Sequence, residues 1–317
     1  MSKLLHDLKR LRDIWRGFWQ SRVIITANNF KIFEHLKKPL SARELSNKIS
    51  TDLRATEILL DALVGLDLLK KRGGKYRNAS ISDRFLVEGK PYYQGDMLRY
   101  ADVMWRNWSE LDNSLKTGKP NRVAFDHTSF ILAMHNISSF KAKKIIDIID
   151  LNGIKTALDL GGGPGTYSLE IAKRGINVTL FDRPETIEIA KKITNNKKGI
   201  DFIGGDFFVD DLGKGYDLIF ISQIFHAYSE KDNLLLLRRC KKALNKEGRI
   251  VIQEFFINND RTKPLESALF SVNMLVNTEG GRCYSPDEIK RWLKNIGLKN
   301  IRERSLDDVV LISSSLL

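Results

Sequence analysis

The sequence predicts an α/β protein in which a doubly wound, mostly parallel sheet follows a mainly helical front part. Three observations carry this prediction. Short apolar runs alternate with segments of helical spacing from residue 155 onward, a glycine loop directly follows the first of these runs, and the first 100 residues combine short helices with a basic hairpin. At 317 residues the chain exceeds the length at which one core usually keeps growing, so we expect two domains.

Composition narrows the class of protein. Hydrophobic residues make up 42% of the chain, which is enough for a sizeable core, and no apolar run reaches the 18 residues of a membrane span. The first residues lack the pattern of a secretory signal, so we expect a cytoplasmic protein without stable membrane insertion. The two cysteines, Cys240 and Cys283, lie too far apart in sequence to suggest a zinc knuckle or a disulfide, so we expect no metal.

The front part carries most of the positive charge. Of a formal net charge of +13, residues 1–100 contribute 20 basic against 11 acidic residues, so an anionic partner is considered. Residues 1–30 predict a helix with one apolar stripe, since apolar side chains recur there at spacings of three and four. The stripe consists of Leu4, Leu8, Leu11, Trp15 and Phe18. We expect it to pack on the protein's own core or on a second subunit; a membrane surface is the less favoured alternative.

Residues 28–87 predict a helix-turn-helix followed by a hairpin. Helices are predicted over residues 30–36, 41–48 and 55–66. Ser41 and Glu44 form a capping box, and Gly73-Gly74 supplies the turn of a basic hairpin. This winged-helix layout makes a DNA-binding regulator one alternative function. Against it, residues 53–61, the candidate recognition helix, hold two acids and one base, whereas phosphate neutralisation needs several cations together.

The rear part alternates strands and helices in the manner of a parallel sheet. Strands are predicted over residues 156–160, 178–181, 202–204, 216–222 and 249–254, and two more over 301–304 and 309–313. A helix between these two groups begins cleanly, with Ser285 as its cap and Glu288 completing a capping box. No flexible linker separates the two parts, so a continuous helical connection is expected.

The strongest signal is the segment A-L-D-L-G-G-G-P-G at residues 157–165, where a strand runs into a glycine loop. Its loop glycines Gly161, Gly163 and Gly165 let the backbone pass close beneath a ligand. A pyrophosphate loop prefers G-x-G-x-x-G, but position 166 is threonine, and Asp159 would place negative charge beside phosphates. S-adenosylmethionine, which carries an ammonium and a sulfonium, suits this loop better. A nicotinamide-dependent oxidoreductase is a less favoured alternative.

Two further acids follow the next two strands. Asp182 ends the second strand, where a carboxylate accepts ribose hydroxyls in dinucleotide folds. Asp206 follows the third strand and is expected to meet the adenine amino group, with Phe207 against the ring. One such acid is often an ordinary loop or capping residue, but acids at three successive strand ends favour a nucleoside site. The predicted cofactor contacts also include Arg183 and Ser222.

From about residue 10 to the end, the chain resembles the S-adenosylmethionine-dependent O-methyltransferases of the caffeate and hydroxyindole type. The motifs that carry the resemblance are residues 158–165, His226 followed by Tyr228-Ser229-Glu230, and residues 277–282 (N-T-E-G-G-R). It implies a Rossmann-like class I methyltransferase domain with a seven-stranded, mostly parallel sheet over residues 141–317. It also implies a winged-helix-like dimerisation domain over residues 1–100 and a helical connection over 101–140 that lines the acceptor pocket. The front part is then the interface of a homodimer, and no nucleic acid is expected.

The resemblance also assigns the catalytic pair. The family's H-D-W-[ST] segment matches residues 226–229, so His226 stands at the position of the family's proton-abstracting histidine, a task that suits a neutral imidazole. Glu254 stands where the family has a glutamate that orients this histidine. The predicted reaction is methyl transfer to a hydroxyl of a small, aromatic or polycyclic acceptor.

Two departures from the family pattern leave an alternative open. Ala227 replaces the aspartate after the histidine, and Cys283 replaces the second flanking glutamate. Glu279 is the candidate replacement if the loop is shifted. C-methylation of a similar acceptor, without a complete acid/base cradle, is therefore the alternative reaction.

The acceptor pocket is predicted from aromatic and polar side chains. In the family, a methionine near the position of Met134 lines the pocket. The complete predicted lining is Trp105, Phe130, Met134, His135, Met274 and Asn277. Its aromatic richness favours a flat, apolar acceptor.

Overall fold

The computed structural model describes residues 3–316 and divides into two units, with the boundary between Asp102 and Val103. The first two residues of the predicted N-terminal helix and the last residue of the predicted rear domain lie outside the described range. Each unit has its own hydrophobic core. Across residues 3–316, no helix combines the length and the apolar character needed to cross a membrane.

The front unit is mainly helical and contains a small antiparallel sheet. Its elements are α1 (Lys3–Asn29), α2 (Ile32–His35), β1 (Leu40–Ser41), α3 (Ala42–Ile49), α4 (Leu53–Gly65), β2 (Leu69–Arg72), β3 (Lys75–Asn78) and α5 (Ser80–Phe85), and α6 (Gly95–Trp108) crosses into the rear unit. The strands lie in the order β1-β3-β2. The capping box of Ser41 and Glu44 is present, and Gly73 and Gly74 make the hairpin turn with positive φ, so the predicted winged-helix layout is confirmed.

The apolar stripe of α1 is exposed. Leu4, Leu11, Trp15 and Phe18 are 77%, 58%, 50% and 51% exposed, and burial begins only at Ile25. The expectation that this stripe packs on the protein's own core is therefore wrong for the described chain. The remaining expectations are packing on a second subunit and, less favoured, binding to a membrane surface.

The rear unit is a three-layer α/β structure. Its helices are α7 (Leu111–Thr117), α8 (His127–Asp147), α9 (Thr166–Ala172), α10 (Pro184–Thr194), α11 (Glu230–Ala243), α12 (Leu265–Asn277) and α13 (Pro286–Asn295). Its strands are β4 (Thr156–Leu160), β5 (Asn177–Asp182), β6 (Ile200–Gly204), β7 (Tyr216–Ser222), β8 (Leu244–Phe255), β9 (Lys299–Leu306) and β10 (Val309–Ser315). Apolar side chains on both faces of the central strands form two separate core clusters, as expected for a sheet covered on both sides.

The seven strands lie in the order β6-β5-β4-β7-β8-β10-β9, and β10 runs in the opposite direction to the other six. The predicted seven-stranded, mostly parallel sheet is thus confirmed, as is the capping box of Ser285 and Glu288 at the start of α13. From β4 the chain first builds toward β6 and then returns to add β7 on the other side. Ligands of such sheets bind at this reversal, outside the carboxyl ends of the strands.

Candidate active site

The glycine loop, residues 161–165, follows β4, and the side chains below it pack closely against its backbone. Gly161, Gly163 and Gly165 have φ values of 66°, 54° and 74°, a left-handed conformation that other residues rarely adopt. A Cβ on Gly162 would come within 2.8 Å of the Asp159 Cγ, and one on Gly165 within 2.8 Å of the Thr194 Cγ2. The loop can therefore lie flat over the end of β4 only with glycine at these positions.

Asp159 lies under this loop. Its side chain is fully buried, and Oδ2 accepts a 2.6 Å hydrogen bond from the Ser168 hydroxyl. Burial raises the pKa of Asp159 to about 6, and the nearby charge of Asp182 adds to this effect. The other oxygen, Oδ1, has no hydrogen-bond partner among residues 3–316. A buried, unpartnered carboxylate oxygen is costly unless a donor or cation reaches it, which fits a cationic ligand over the loop.

Asp182 connects the end of β5 to the glycine loop. Its Oδ2 accepts from the backbone N–H of Gly163 at 2.8 Å, and its Oδ1 accepts from that of Arg183 at 2.7 Å. Burial raises the pKa of Asp182, although both N–H groups and the Thr186 hydroxyl act in the opposite direction. Two of the strand-end acids predicted from the sequence are thereby brought to one place.

Three aromatic rings gather next to these acids. The ring centroids of Phe207 and Tyr228 lie 5.7 Å apart, and Phe208 lies 4.9 Å from both. Burial raises the pKa of the Tyr228 phenol. The neighbouring Arg183 acts to lower this pKa, and the Asp206 carboxylate acts to raise it further. Tyr228 therefore lies among the predicted cofactor contacts.

Sequence reasoning did not include Tyr228 among the site residues. The signal for it was its position two residues after His226 in the same motif.

The other two predicted cofactor contacts are Asp206 and Ser222. Asp206 is exposed and accepts from the backbone N–H of Phe208 at 2.8 Å, which holds its carboxylate at the protein surface. Ser222 donates its hydroxyl to Gln253 Oε1 and is already hydrogen-bonded within the protein.

His226 and Glu254 form a hydrogen-bonded pair: His226 lies in the short 3-10 helix Phe225–Ala227 that follows β7, and Glu254 lies near the end of β8. The Nδ1 of His226 lies 2.8 Å from Glu254 Oε2, and the two side chains are 12% and 4% exposed. Glu254 Oε1 accepts from the backbone N–H of Phe225 at 2.8 Å, which fixes the carboxylate. A carboxylate only accepts, so the neutral imidazole that donates to it carries its proton on Nδ1 and presents the lone pair of Nε2.

The surroundings of His226 are apolar on one side. Its ring lies 4.9 Å from that of Phe270 and 5.8 Å from that of Phe255. Cys283 is 2% exposed, and burial raises the pKa of its thiol to about 11, with Glu254 close enough to add to the shift. The thiol is therefore neutral at pH 7. Glu279 is exposed, and within residues 3–316 no hydrogen bond or ion pair joins it to His226.

The predicted acceptor-pocket residues all lie in the rear unit. Trp105, Phe130, Met134, His135 and Asn277 are partly buried, and Met274 is buried. The Asn277 amide accepts from Asn107 at 3.0 Å and donates to Asn273 at 3.1 Å, and Trp108 also donates to Asn273, at 2.8 Å. This network fixes one side of α12. His135 places Nδ1 2.9 Å from the Thr166 hydroxyl, at the start of α9.

Comparisons with known proteins identify the family of this chain. The O-methyltransferase domain family matches residues 119–299, and the O-methyltransferase dimerisation domain matches residues 13–88. The chain is 31% identical to the tetracenomycin polyketide synthesis 8-O-methyl transferase of Streptomyces glaucescens, over 90% of each chain. It is 29% identical to the 3-hydroxy-5-methyl-1-naphthoate 3-O-methyltransferase of Streptomyces sahachiroi, over 92% of this chain and 90% of that one.

A solved structure extends the likeness to the whole chain. Human N-acetylserotonin methyltransferase, in complex with S-adenosylmethionine, superposes with a TM-score of 0.90 at 27% identity, covering 98% of this chain and 97% of that one. The family predicted from the glycine loop and the histidine motif is therefore confirmed. This chain belongs to the S-adenosylmethionine-dependent O-methyltransferase family.

Proposed function

We propose that this protein methylates a hydroxyl of a small, flat, aromatic or polycyclic acceptor, with His226 as the general base. The observation that carries the proposal is the 2.8 Å contact between His226 Nδ1 and Glu254 Oε2. This contact turns the free Nε2 lone pair away from the carboxylate. The similarity to a naphthoate O-methyltransferase and to an O-methyltransferase of tetracenomycin polyketide synthesis supports an aromatic acceptor, as do the rings around His226.

The residues present fit S-adenosylmethionine, which supplies a methyl group on a positively charged sulfur when it is bound. The glycine loop of residues 161–165 forms a flat floor, and the unpartnered Oδ1 of Asp159 favours positive charge above it. We assign Asp182 to the ribose hydroxyls, and Asp206 and the ring of Phe207 to the adenine. The distribution of acids over the strand ends matches a cationic nucleoside without phosphates.

The chain's own chemistry is proton removal and positioning. His226 Nε2 would accept the proton as the acceptor's O–H bond breaks. The acceptor oxygen would bond to the methyl carbon as the bond from that carbon to the sulfonium sulfur breaks, with neutral S-adenosylhomocysteine as the leaving group. Glu254 stabilises the imidazolium that results and keeps the ring in one orientation. General-base catalysis is worth about 10²- to 10⁴-fold, and the remaining acceleration comes from holding the reactants in line.

C-methylation is the second candidate, and one observation favours it. At position 283, a neutral thiol stands where the resemblance implies a glutamate, and among residues 3–316 Glu254 is the one carboxylate hydrogen-bonded to the His226 ring. Transfer to an electron-rich carbon needs no proton removal before the methyl group arrives. A full acid cradle is then unnecessary.

We also propose a homodimer that forms through the front domain, with domain limits of 1–100, 101–140 and 141–317. The dimerisation-domain match and the exposed stripe of α1 support it. Sedimentation of the purified protein tests the dimer, and a monomer at micromolar concentration would contradict it.

We further propose the cytoplasm as the compartment. Both cysteines are free thiols, which supports it.

The experiment has two stages. Calorimetry first measures the binding of S-adenosylhomocysteine, and failure to bind would refute the cofactor assignment. Labelled S-adenosylmethionine is then offered with hydroxynaphthoates, N-acetylserotonin and the same compounds without their hydroxyl groups. We expect label only in hydroxylated compounds, with the new methyl group on oxygen by mass spectrometry and NMR. A methyl group on carbon would decide for the second candidate.

A further inference from the structure

The glycine loop of residues 161–165 is anchored differently at its two ends. Near its start, the backbone N–H of Gly161 donates to the Phe181 carbonyl at 2.8 Å, and that of Gly163 donates to Asp182 Oδ2 at 2.8 Å. Both acceptors belong to β5, so the neighbouring strand fixes the start of the loop.

The end of the loop leads directly into α9, and the first turn of this helix is held from two sides. Gly165 occupies the N-cap position, where a glycine has no side chain to accept from the helix N–H groups. Two buried hydroxyls hold the turn instead. Ser168 donates to Asp159 Oδ2 at 2.6 Å, and Thr166 Oγ1 lies 2.9 Å from His135 Nδ1. Thus β4 fixes one side of the turn and α8 fixes the other.

The contact with Thr166 sets the direction of the His135 side chain. Thr166 is 6% exposed and His135 is partly buried, so this hydrogen bond is largely shielded from water. On α8, Phe130 and Met134 are four residues apart and share one face, whereas His135 lies about 100° around the helix from Met134. The sequence predicts His135 as an acceptor-pocket residue, but this hydrogen bond turns its Nδ1 toward the start of α9.

We propose that His135 is a positioning residue for the cofactor, because it holds, through Thr166, the junction between the glycine loop and α9. This inference rests on the proposed function, since it takes the glycine loop as the site of S-adenosylmethionine. His135 acts on the loop through Thr166 and needs no contact with the nucleoside. Loss of the hydrogen bond should therefore weaken cofactor binding, whereas loss of a histidine that lines the acceptor pocket would weaken acceptor binding instead.

Matched substitutions in the full-length protein test this role. Asparagine places its amide group at the branch point where histidine has Nδ1, and leucine has the same branching without polar atoms. We expect His135→Leu to weaken S-adenosylhomocysteine binding about fivefold by calorimetry, as for the loss of one hydrogen bond. His135→Asn keeps a hydrogen-bonding group opposite Thr166 and should bind within about twofold of the wild type. Thr166→Val should repeat the loss, and Thr166→Ser, which keeps the hydroxyl, should not.

A double-mutant cycle and steady-state kinetics separate positioning from a general loss of structure. Because one hydrogen bond can be removed only once, His135→Leu combined with Thr166→Val should bind S-adenosylhomocysteine within about twofold of either single variant. The single variants should raise KM for S-adenosylmethionine about fivefold, while kcat and KM for the acceptor stay within about twofold. The acceptor is one identified in the hydroxynaphthoate and N-acetylserotonin panel.

Several results would overturn this role of His135. Equal affinity of the wild type and His135→Leu for S-adenosylhomocysteine would do so, as would full additivity of the two losses in the double variant. A raised KM for the acceptor with an unchanged KM for S-adenosylmethionine would place His135 in the acceptor pocket instead. If Thr166→Val does not fold, His135→Asn and His135→Leu decide, and equal affinity in both refutes the inference. A wild-type protein that binds no S-adenosylhomocysteine refutes the proposed function itself, which is a different outcome.

Discussion

Replacing Glu254 by glutamine isolates the part of the site that orients the proposed base. The carboxylate accepts from His226 Nδ1–H at 2.8 Å and from the Phe225 backbone N–H at 2.8 Å. Glutamine has the same shape but only one oxygen. If that oxygen keeps the Phe225 bond, the amide N–H₂ faces Nδ1, which must then accept. The histidine proton moves to Nε2, where it blocks proton removal.

The size of the effect follows from the hydrogen bond that is lost. A hydrogen bond to a charged group is worth about 1.5–3 kcal/mol, which corresponds to about 10- to 150-fold in rate. General-base catalysis as a whole spans about 10² to 10⁴. We therefore expect Glu254→Gln to lower kcat about 100-fold. Because Glu254 contacts His226 and backbone N–H groups, KM for S-adenosylmethionine should stay within about twofold.

The assay is transfer of labelled methyl from S-adenosylmethionine to an acceptor identified in the hydroxynaphthoate and N-acetylserotonin panel. Cys283→Ser is the matched control, since it exchanges a neighbouring neutral side chain of similar size at a buried position. This variant should keep kcat within about threefold, as expected for a change that leaves the hydrogen bond to His226 in place. If Glu254→Gln itself keeps kcat within the same limit, the orientation of the imidazole is irrelevant and the transfer needs no base.

Three further predictions concern the base, the loop and the buried acid. His226→Ala should lower turnover at least about tenfold with unchanged S-adenosylhomocysteine affinity by calorimetry, and unchanged turnover would favour base-free transfer. Gly162→Ala places a Cβ 2.8 Å from Asp159 Cγ and 2.9 Å from Leu180 Cγ, so S-adenosylhomocysteine affinity and thermal stability should both fall. Gly163→Ala is the comparison variant, because its Cβ would meet open space while its φ of 54° strains any residue other than glycine. The two variants together separate the effect of crowding from that of backbone strain. The pKa of Asp159 rises from 3.8 to about 6 on folding, so its stabilising contribution is complete below 3.8 and is lost as pH rises through about 6. Urea unfolding should therefore show Asp159→Asn gaining stability relative to the wild type over this interval, and a pH-independent difference would contradict the shift.

The sheet could be predicted in detail because its signals are local. Most strands of the rear unit contain a short apolar run, and every run predicted from the sequence lies within an observed strand; the polar edge strand β9 is the exception in composition. The capping boxes at Ser41 and Ser285 depend on residues three positions apart, so they too are readable from sequence. The exposure of α1 could not be predicted from the sequence, because an apolar stripe has the same pattern whether its own chain or another one covers it.

The site could be predicted in part. The acids were found because they follow strands, and the meeting of Asp182 with the glycine loop is a consequence of parallel neighbouring strands. Burial of Asp159 beneath the loop could not be read from the sequence, because it depends on how closely Gly162 approaches. The place of Tyr228 among Arg183, Asp206 and Phe207 depends on the path of the chain after β7, which no local pattern encodes.

The exposure of the first 20 described residues of α1 has a thermodynamic consequence. Residues 3–22 are exposed throughout, and most of the stability of a helix in a protein comes from the packing of its apolar face. In the proposed homodimer we expect the partner subunit to supply this packing, so that helix formation and association would be coupled. Dilution of the homodimer should then unwind residues 3–22 of α1 before it affects the rear sheet. The melting temperature of such a dimer depends on the protein concentration.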